Sequence, residues 1–378
     1  MTPVDPMLDV VRRCGIDAAS VRPRRANTDE LTAPWLADKY GGGLLGTHPL
    51  TVTDAAGVDR DVVCKVRHSP GISVTLMPGV YARLGITLPR PYSGFRAARE
   101  MTPVLRREID VYARQRDVPA LAACQPALVG SMVDEDADLS ALVVEFVPDA
   151  VLMDTGADVS GWTRARVDAQ VTAIAAVHGA FLGPPGSPPP GLRSLPAPFS
   201  AADVAADRDL WAASAEYVHR VRPDLLDDAG LRRRLRLADT AGDWYGAVAE
   251  HPHTLAHDDF NPRNACFRGD GRPLVYDWEL ASWGTPLRDL VEMLTFTVTP
   301  DWGDDDIRGL VRRHRSWVER AGDVRLDPQE WDEAFRGEVM DEALNRLAFQ
   351  QVLGQDMPLG YVERITAAVD RLLDLVSA

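Results

Sequence analysis

Residues His257-Asp258-Asp259-Phe260-Asn261-Pro262-Arg263-Asn264, followed by Asp277-Trp278-Glu279, have types and spacings suited to one kind of chemistry. Asp259 stands five residues before Asn264, and Asp277 follows thirteen later. Between them lie Ala265-Cys266-Phe267-Arg268, the turn Gly269-Asp270-Gly271-Arg272-Pro273, and the apolar run Leu274-Val275-Tyr276. That order of turn residues between apolar runs predicts a short β-hairpin. A hairpin brings its ends together, so Asn264 and Asp277 should meet at one mouth, with Asp259 on the loop before it. Phosphoryl transfer from ATP needs a carboxylate to orient a hydroxyl and accept its proton. It also needs an amide oxygen and a second carboxylate to hold Mg²⁺ against the phosphates. The sequence supplies these as Asp259, Asn264 and Asp277, in that order.

One Asp-x-x-x-x-Asn means little in a chain with 56 acidic residues. The full constellation, with His257, a hairpin-spaced Asp277 and the continuation Gly284-Thr285-Pro286-Leu287-Arg288-Asp289-Leu290, is far more specific. It resembles the catalytic segment of the aminoglycoside phosphotransferase and choline kinase-like families, small-molecule relatives of protein kinases. Their pattern is His-Gly-Asp, four residues, Asn, and a hairpin later Asp-Trp or a similar pair. This chain departs from it with Asp258 where glycine is usual. A carboxylate there is tolerable if it points to solvent, but it becomes a rival base. Asp259 is preferred because it keeps the four-residue gap to an asparagine. His257 is a candidate for the catalytic loop as a hydrogen-bonding brace rather than as the base.

The resemblance implies further parts. Of 41 basic residues only Lys39 and Lys65 are lysines, so a surviving lysine should have work that arginine cannot do. Lys65 lies in the strand-like run Asp61-Val62-Val63-Cys64-Lys65-Val66-Arg67. In kinases a lysine on the third strand pairs with ATP phosphates and with a helix glutamate; the competing role is an edge-strand gatekeeper. Glu108, in a predicted helix over Leu105–Ala113, is the expected partner. The Gly-rich stretch Tyr40–Thr47, with Gly43 and Gly46, should form a phosphate-covering turn. The run Ala141–Val147 should end in a hinge whose backbone at Glu145 to Val147 meets adenine; the plain alternative is an ordinary sheet strand.

Composition sets the frame. Hydrophobic residues make up 46% and charged residues 26%, ordinary for a globular protein. No apolar run approaches a membrane span and no signal architecture opens the chain. Cys14, Cys64, Cys124 and Cys266 are scattered, without metal or disulfide spacing. Cytoplasmic residence and no membrane partner are expected. A net charge of −15 argues against nucleic acid as a partner, and the oligomeric state is open.

The predicted architecture is α+β and bilobal, protein kinase-like. Residues 1–147 form a nucleotide-binding lobe, an antiparallel sheet with one main helix. Residues 148–378 form a helical lobe for catalysis and substrate. Strands are expected at Pro126–Gly130 and Ala141–Val147, and helices from Ser160 through His178 and at Trp211–Val221, Leu231–Val248, Leu287–Thr297, Asp305–Ala321, Pro328–Val352 and Tyr361–Val376. Residues 1–39 carry no readable pattern, and 68–100 resist assignment. The function implied is an ATP- and Mg²⁺-dependent kinase for a hydroxyl of a small molecule: an aminoglycoside-like antibiotic, an amino alcohol, a sugar or a biosynthetic intermediate. The alternative is a nucleotide-binding pseudokinase acting as a scaffold or regulator. A protein kinase is disfavoured because Asn261 stands where those enzymes carry lysine, and Asp277-Trp278-Glu279 replaces Asp-Phe-Gly. Acidic and aromatic residues of the helical part (Trp283, Asp301, Trp302, Asp304, Asp305, Asp306, Glu338, Asp341, Glu342) would suit a cationic acceptor, or else be solvated acids and core tryptophans.

Overall fold

The computed structural model describes residues 5–24, 44–68, 72–100, 106–151, 158–186, 188–196, 198–357 and 359–377. A capped helix, α1 (Pro6–Arg13), opens it, its N-cap Asp5 accepting from Met7 N at 2.9 Å. The strands β1 (Ser20–Pro23), β2 (Gly46–Thr53) and β3 (Asp59–His68) follow. Next come α2 (Ile72–Arg83), α3 (Arg96–Glu100), α4 (Arg107–Ala113) and α5 (Pro119–Cys124), then the hairpin β4 (Leu128–Asp134) and β5 (Leu139–Glu145). The five strands form one antiparallel sheet in the order β1-β2-β3-β5-β4.

Strand parity decides which way the key side chains point. Successive residues alternate faces, so Val62, Cys64 and Val66 of β3 are buried in the cluster that holds Val10 and Val11 of α1 and its C-cap Cys14. Lys65 and Arg67 therefore leave by the opposite face, where α4 lies. Thus α1 and β1, within the stretch the sequence left unread, cover and extend the sheet. Two helical turns are too short for a periodic signal to rise above chance.

The unassigned stretch also finds a place. Met77, Val80 and Tyr81 of α2, with Phe95 before α3, bury against Leu210, Val218, Val352, Leu353 and Val362. Asp207 accepts from the backbone N–H of Arg96 and Ala97, at 2.9 and 3.1 Å, capping α3. This insertion, between the Lys65 strand and the Glu108 helix, is thus docked on the helical part.

That part comprises α6 (Arg164–Phe181), α7 (Ala201–Ala205), α8 (Arg208–Val221), α9 (Asp228–Asp239), α10 (Ala241–Glu250), α11 (Leu287–Thr297), α12 (Asp304–Gly322), α13 (Pro328–Leu344), α14 (Arg346–Asp356) and α15 (Val362–Ser377). Short strands β6 (Thr254–Ala256) and β9 (Ser282–Gly284) pair, as do β7 (Ala265–Phe267) and β8 (Pro273–Val275). The fold is the expected α+β, with refinements. The predicted helix Leu231–Val248 is two, broken at Thr240, whose hydroxyl bonds back to Arg236 O. Pro328–Val352 is also two, divided at Asn345, whose backbone N–H donates to Asp341 O at 2.8 Å while its side-chain amide bonds Glu100. The β4–β5 turn is tighter than expected because Asp134 accepts from Ala137 N and Asp138 takes a left-handed φ of 50°. No helix among the described residues is long and apolar enough to cross a membrane. The four cysteines are buried and unbridged.

Helices α6 and α12 approach so closely at Gly179 that a Cβ there would lie 2.5 Å from Ala321 Cβ and 2.7 Å from Val318 O. Gly179→Ala should force the pair apart and cost about 1–3 kcal/mol. Thermal unfolding checks this, and an unchanged midpoint would show that the helices re-space freely.

Candidate active site

The candidate catalytic segment follows β6, and its hydrogen bonds explain its shape. The Asp289 carboxylate, at the start of α11, accepts from the backbone N–H of His257 and of Asp258, at 2.8 and 2.9 Å. It also meets His178 Nε2 at 2.9 Å, which places His178 in a buried brace continued by His314 at 3.2 Å. Burial would raise the Asp289 pKa, but its bond to His178, the nearby imidazoles and the His257 amide together hold it below the usual value. The His257 ring is itself buried, bonded through Nε2 to Tyr276 O at 2.9 Å and packed 4.5 Å from Trp278. That is the geometry of a brace.

Asp259 stands differently. Asn264 Nδ2 donates to its Oδ2 at 2.6 Å and Asn261 Nδ2 to its Oδ1 at 2.8 Å, fixing the carboxylate. Its side chain keeps 23% exposure, so a substrate can reach it. The Asn264 amide nitrogen is thus committed, which leaves its oxygen as the group to offer a cation. Tyr276 N–H donates to Asn264 O at 3.0 Å, continuing the β7–β8 ladder. The hairpin therefore sets Asn264 beside the residue preceding Asp277.

Asp258 corrects the sequence reading. It does not point to solvent; it is 2% exposed, with a left-handed φ of 61° that favours glycine. Its carboxylate sits between Arg288 and Arg346 (Nη2 at 2.8 Å). Arg288 also meets Glu100 at 3.2 Å and Asp341 at 3.5 Å, and Arg96 bridges Glu100 (2.8 Å) and Asp341. Three guanidinium groups thus face Asp258, Glu100 and Asp341 in a buried network linking α3, the catalytic loop and α13. Beside it, burial pushes Glu338 up to about 8 and Glu342 up to about 7.

On the sheet side Lys65 Nζ lies 2.7 Å from Glu108 Oε2 and 3.1 Å from Glu279 Oε2, and is paired with Asp277. Burial opposes the lysine charge, but Asp277, Glu108 and Glu279 outweigh it and raise its pKa. Glu108 is pushed up to about 7 by burial and by the like charges of Asp277 and Glu279, against the pull of Lys65. Three carboxylates around one ammonium leave surplus negative charge, and one oxygen from each lies within 4.8 Å of the others. An all-oxygen set of that charge suits a hard divalent cation. Glu279 was quoted in the sequence without a role, although a carboxylate two residues after Asp277 across one 3₁₀ turn was signal enough. Arg67, 3.5 Å from Glu279, was foreseeable by strand parity with Lys65. Arg263 and Glu292, beside Asp259, went unread.

Of the glycines, Gly43 lies outside the described residues. Gly46 opens β2 opposite Val66, with φ 128°, one register step from Lys65's partner Thr47. At the expected hinge, the N–H groups of Glu145 and Phe146 already donate to Ala127 O (2.9 Å) and Asp61 O (3.3 Å). The Glu145 side chain pairs with Arg268 of the β7–β8 turn, tying the sheet to the hairpin.

The model of the phosphotransferase enzyme family matches residues 89–324, a span that includes Glu108 and the whole segment from His257 to Asp289. No curated protein matches. Similar solved structures include the choline kinase LicA from Streptococcus pneumoniae, 9% identical, covering 98% of this chain and 96% of that one at a TM-score of 0.48. A choline/ethanolamine kinase family protein from Mesorhizobium loti is 18% identical over 91% and 92%, TM-score 0.46. A thermostable aminoglycoside phosphotransferase APH(4)-Ia mutant, in ternary complex with ADP and hygromycin B, is 14% identical over 97% of each chain, TM-score 0.44.

Proposed function

The chain belongs to the phosphotransferase enzyme family, and we propose that it moves the γ-phosphate of ATP to a hydroxyl of a small molecule. One observation carries this reading: a carboxylate fixed by two amides but open to substrate, Asp259, beside a hairpin mouth whose Asp277 is paired with the Lys65–Glu108 couple. Asp259 orients the acceptor hydroxyl and takes its proton as the oxygen attacks the γ-phosphorus. The new O–P bond forms as the bond to the β-phosphate oxygen breaks, and ADP leaves with that electron pair. Lys65 and Arg67 hold the phosphates, and the hinge from Glu145 to Val147 takes the adenine at its Val147 end, since the N–H groups of Glu145 and Phe146 are already bonded. Mg²⁺, held by Asp277 and the Asn264 amide oxygen within reach of Glu279, would supply positive charge to the phosphates. His257, Asp289 and His178 keep the loop in register. A scaffold that merely binds nucleotide has no use for an amide-fixed base in reach of substrate.

ADP release should therefore require Mg²⁺ or Mn²⁺, and Asp277→Ala should abolish it. Asp277 has a left-handed φ of 65°, where alanine costs about 1–2 kcal/mol while asparagine is tolerated. Asp277→Asn is thus measured alongside, with melting curves for both. Turnover that persists without metal would sink the assignment.

A further inference from the structure

The side of Asp259 that faces the helices is edged by a cation. Arg263 donates through Nε to Asn261 Oδ1 at 3.0 Å and through Nη1 to the Tyr361 hydroxyl at 3.1 Å. Its Nη2 lies 3.4 Å from Asp259 Oδ1. The guanidinium carbon sits 5.3 Å from the Phe296 ring centre and 5.5 Å from that of Tyr361, two rings themselves 5.4 Å apart. The Phe296 and Tyr361 rings are thus already occupied by the chain's own cation. These contacts use three of the five guanidinium N–H groups, and the side chain keeps 31% exposure. The contact to Asp259 is long for a charge-assisted bond, which runs about 2.7–2.9 Å, so a better acceptor can replace it.

Besides Asp259, the acid on this side is Glu292, which is closed off from substrate by burial. Glu292, buried and bonded by Asn261 Nδ2 at 2.9 Å, is pushed well above the usual carboxylate range by burial and by Asp259. Most of the acids that could have lined a cation site are spent elsewhere, while Asp305 is exposed on α12. Asp341 belongs to the buried arginine network, Glu338 accepts from Thr285, and Glu342 is buried. Asp301 and Asp306 pair with Arg164, and Asp304 with Arg371. Trp283 and Trp302 are core residues.

We propose that Arg263 sets acceptor specificity, and that the acceptor carries an anionic group, carboxylate or phosphate, close to the hydroxyl that Asp259 orients. The proposal rests on the phosphotransferase reading and narrows its substrate class. A planar fork held by stacking and by two hydrogen bonds is pre-organised for a carboxylate or phosphate edge. An ammonium would meet like charge there, with its aromatic sites filled.

The test uses the full chain with ATP and Mg²⁺ and two matched probe sets. One is glycerol, serinol, glycerate and glycerol 3-phosphate; the other is glucose, glucosamine, gluconate and glucose 6-phosphate. ADP release and calorimetric binding are measured for wild type, Arg263→Gln and Arg263→Lys, with melting curves to confirm folding. The expected result is that anionic members lead in wild type. Arg263→Gln lowers their kcat/KM about 10²-fold, mostly through KM, and flattens the order of charge classes, whereas Arg263→Lys keeps the order at reduced affinity. The carboxylate and phosphate arms identify which anion is read. A lead by cationic or neutral members, an order unchanged in Arg263→Gln, or no anionic member bound would overturn the proposal. The phosphotransferase reading fails separately, by the absence of metal-dependent ADP release with every probe and without any.

Discussion

Asp259→Asn should lower turnover by roughly 10²- to 10⁴-fold, the usual worth of a positioned base, while the KM for ATP changes little. Asparagine preserves shape but offers one oxygen where the carboxylate uses two, Oδ2 for the Asn264 amide and Oδ1 for the Asn261 amide. It keeps one of the two bonds, so melting curves accompany the kinetics, and in folded protein the loss should fall on kcat. Asp258→Asn gives the contrast. The sequence alone predicts a mild effect there, and the structure says where the cost goes. Removing one charge from between Arg288 and Arg346 leaves two buried guanidinium groups under-compensated, and breaking such a pair costs about 3–5 kcal/mol. The outcome expected is a lower melting temperature with much of the specific activity of the folded protein retained. Were Asp258→Asn to stop turnover in well-folded protein while Asp259→Asn did not, the register of the motif would be off by one residue.

The contrast also shows what a sequence can carry. Asp259, Asn264 and Asp277 were legible because hairpin turn chemistry and a fixed four-residue gap are local, and local rules survive folding. Lys65 was legible through its rarity, and strand parity gave its direction. The Asp258 network was not. Arg96, Glu100, Arg288, Asp341 and Arg346 are spread over 250 positions, and nothing in their spacing says that α3 docks beside α13. The same holds for α2 and α3, whose apolar residues match the surface of α8 and α14 rather than any pattern within their own segment. The break at Asn345 was hidden for a related reason: its amide is drawn to Glu100, a partner 245 residues away. Arg263 falls between these cases. Its place four residues after Asp259 was visible, but its stacking on Phe296 and Tyr361 needed the fold.

Lys65→Arg is expected to lose activity by roughly 10²- to 10³-fold, the scale for removing one pre-organised electrostatic group, and to resemble Lys65→Ala in this. The geometry shows why charge alone does not suffice. The ammonium is a compact point charge, 11% exposed, touching Glu108, Asp277 and Glu279 at once. A guanidinium spreads the same charge over a wide plane on a longer stem. To enter the gap it must push Glu108 back into α4 or move Asp277, the very residue assigned to the metal. The two variants should differ in stability. Lys65→Ala leaves three carboxylates offset by Arg67 alone among the residues described in this cluster, so it should melt earlier in metal-free buffer and regain stability with Mg²⁺, through the mass action of ligand binding to the folded state. Lys65→Arg keeps the charge balance and should melt close to wild type. Lys39, outside the described residues, serves as the control, and Lys39→Arg should be nearly silent. An active Lys65→Arg enzyme would mean that this lysine persists in an arginine-rich chain for a reason other than placing phosphates. The Glu108 contact would then be a structural tie between sheet and helix.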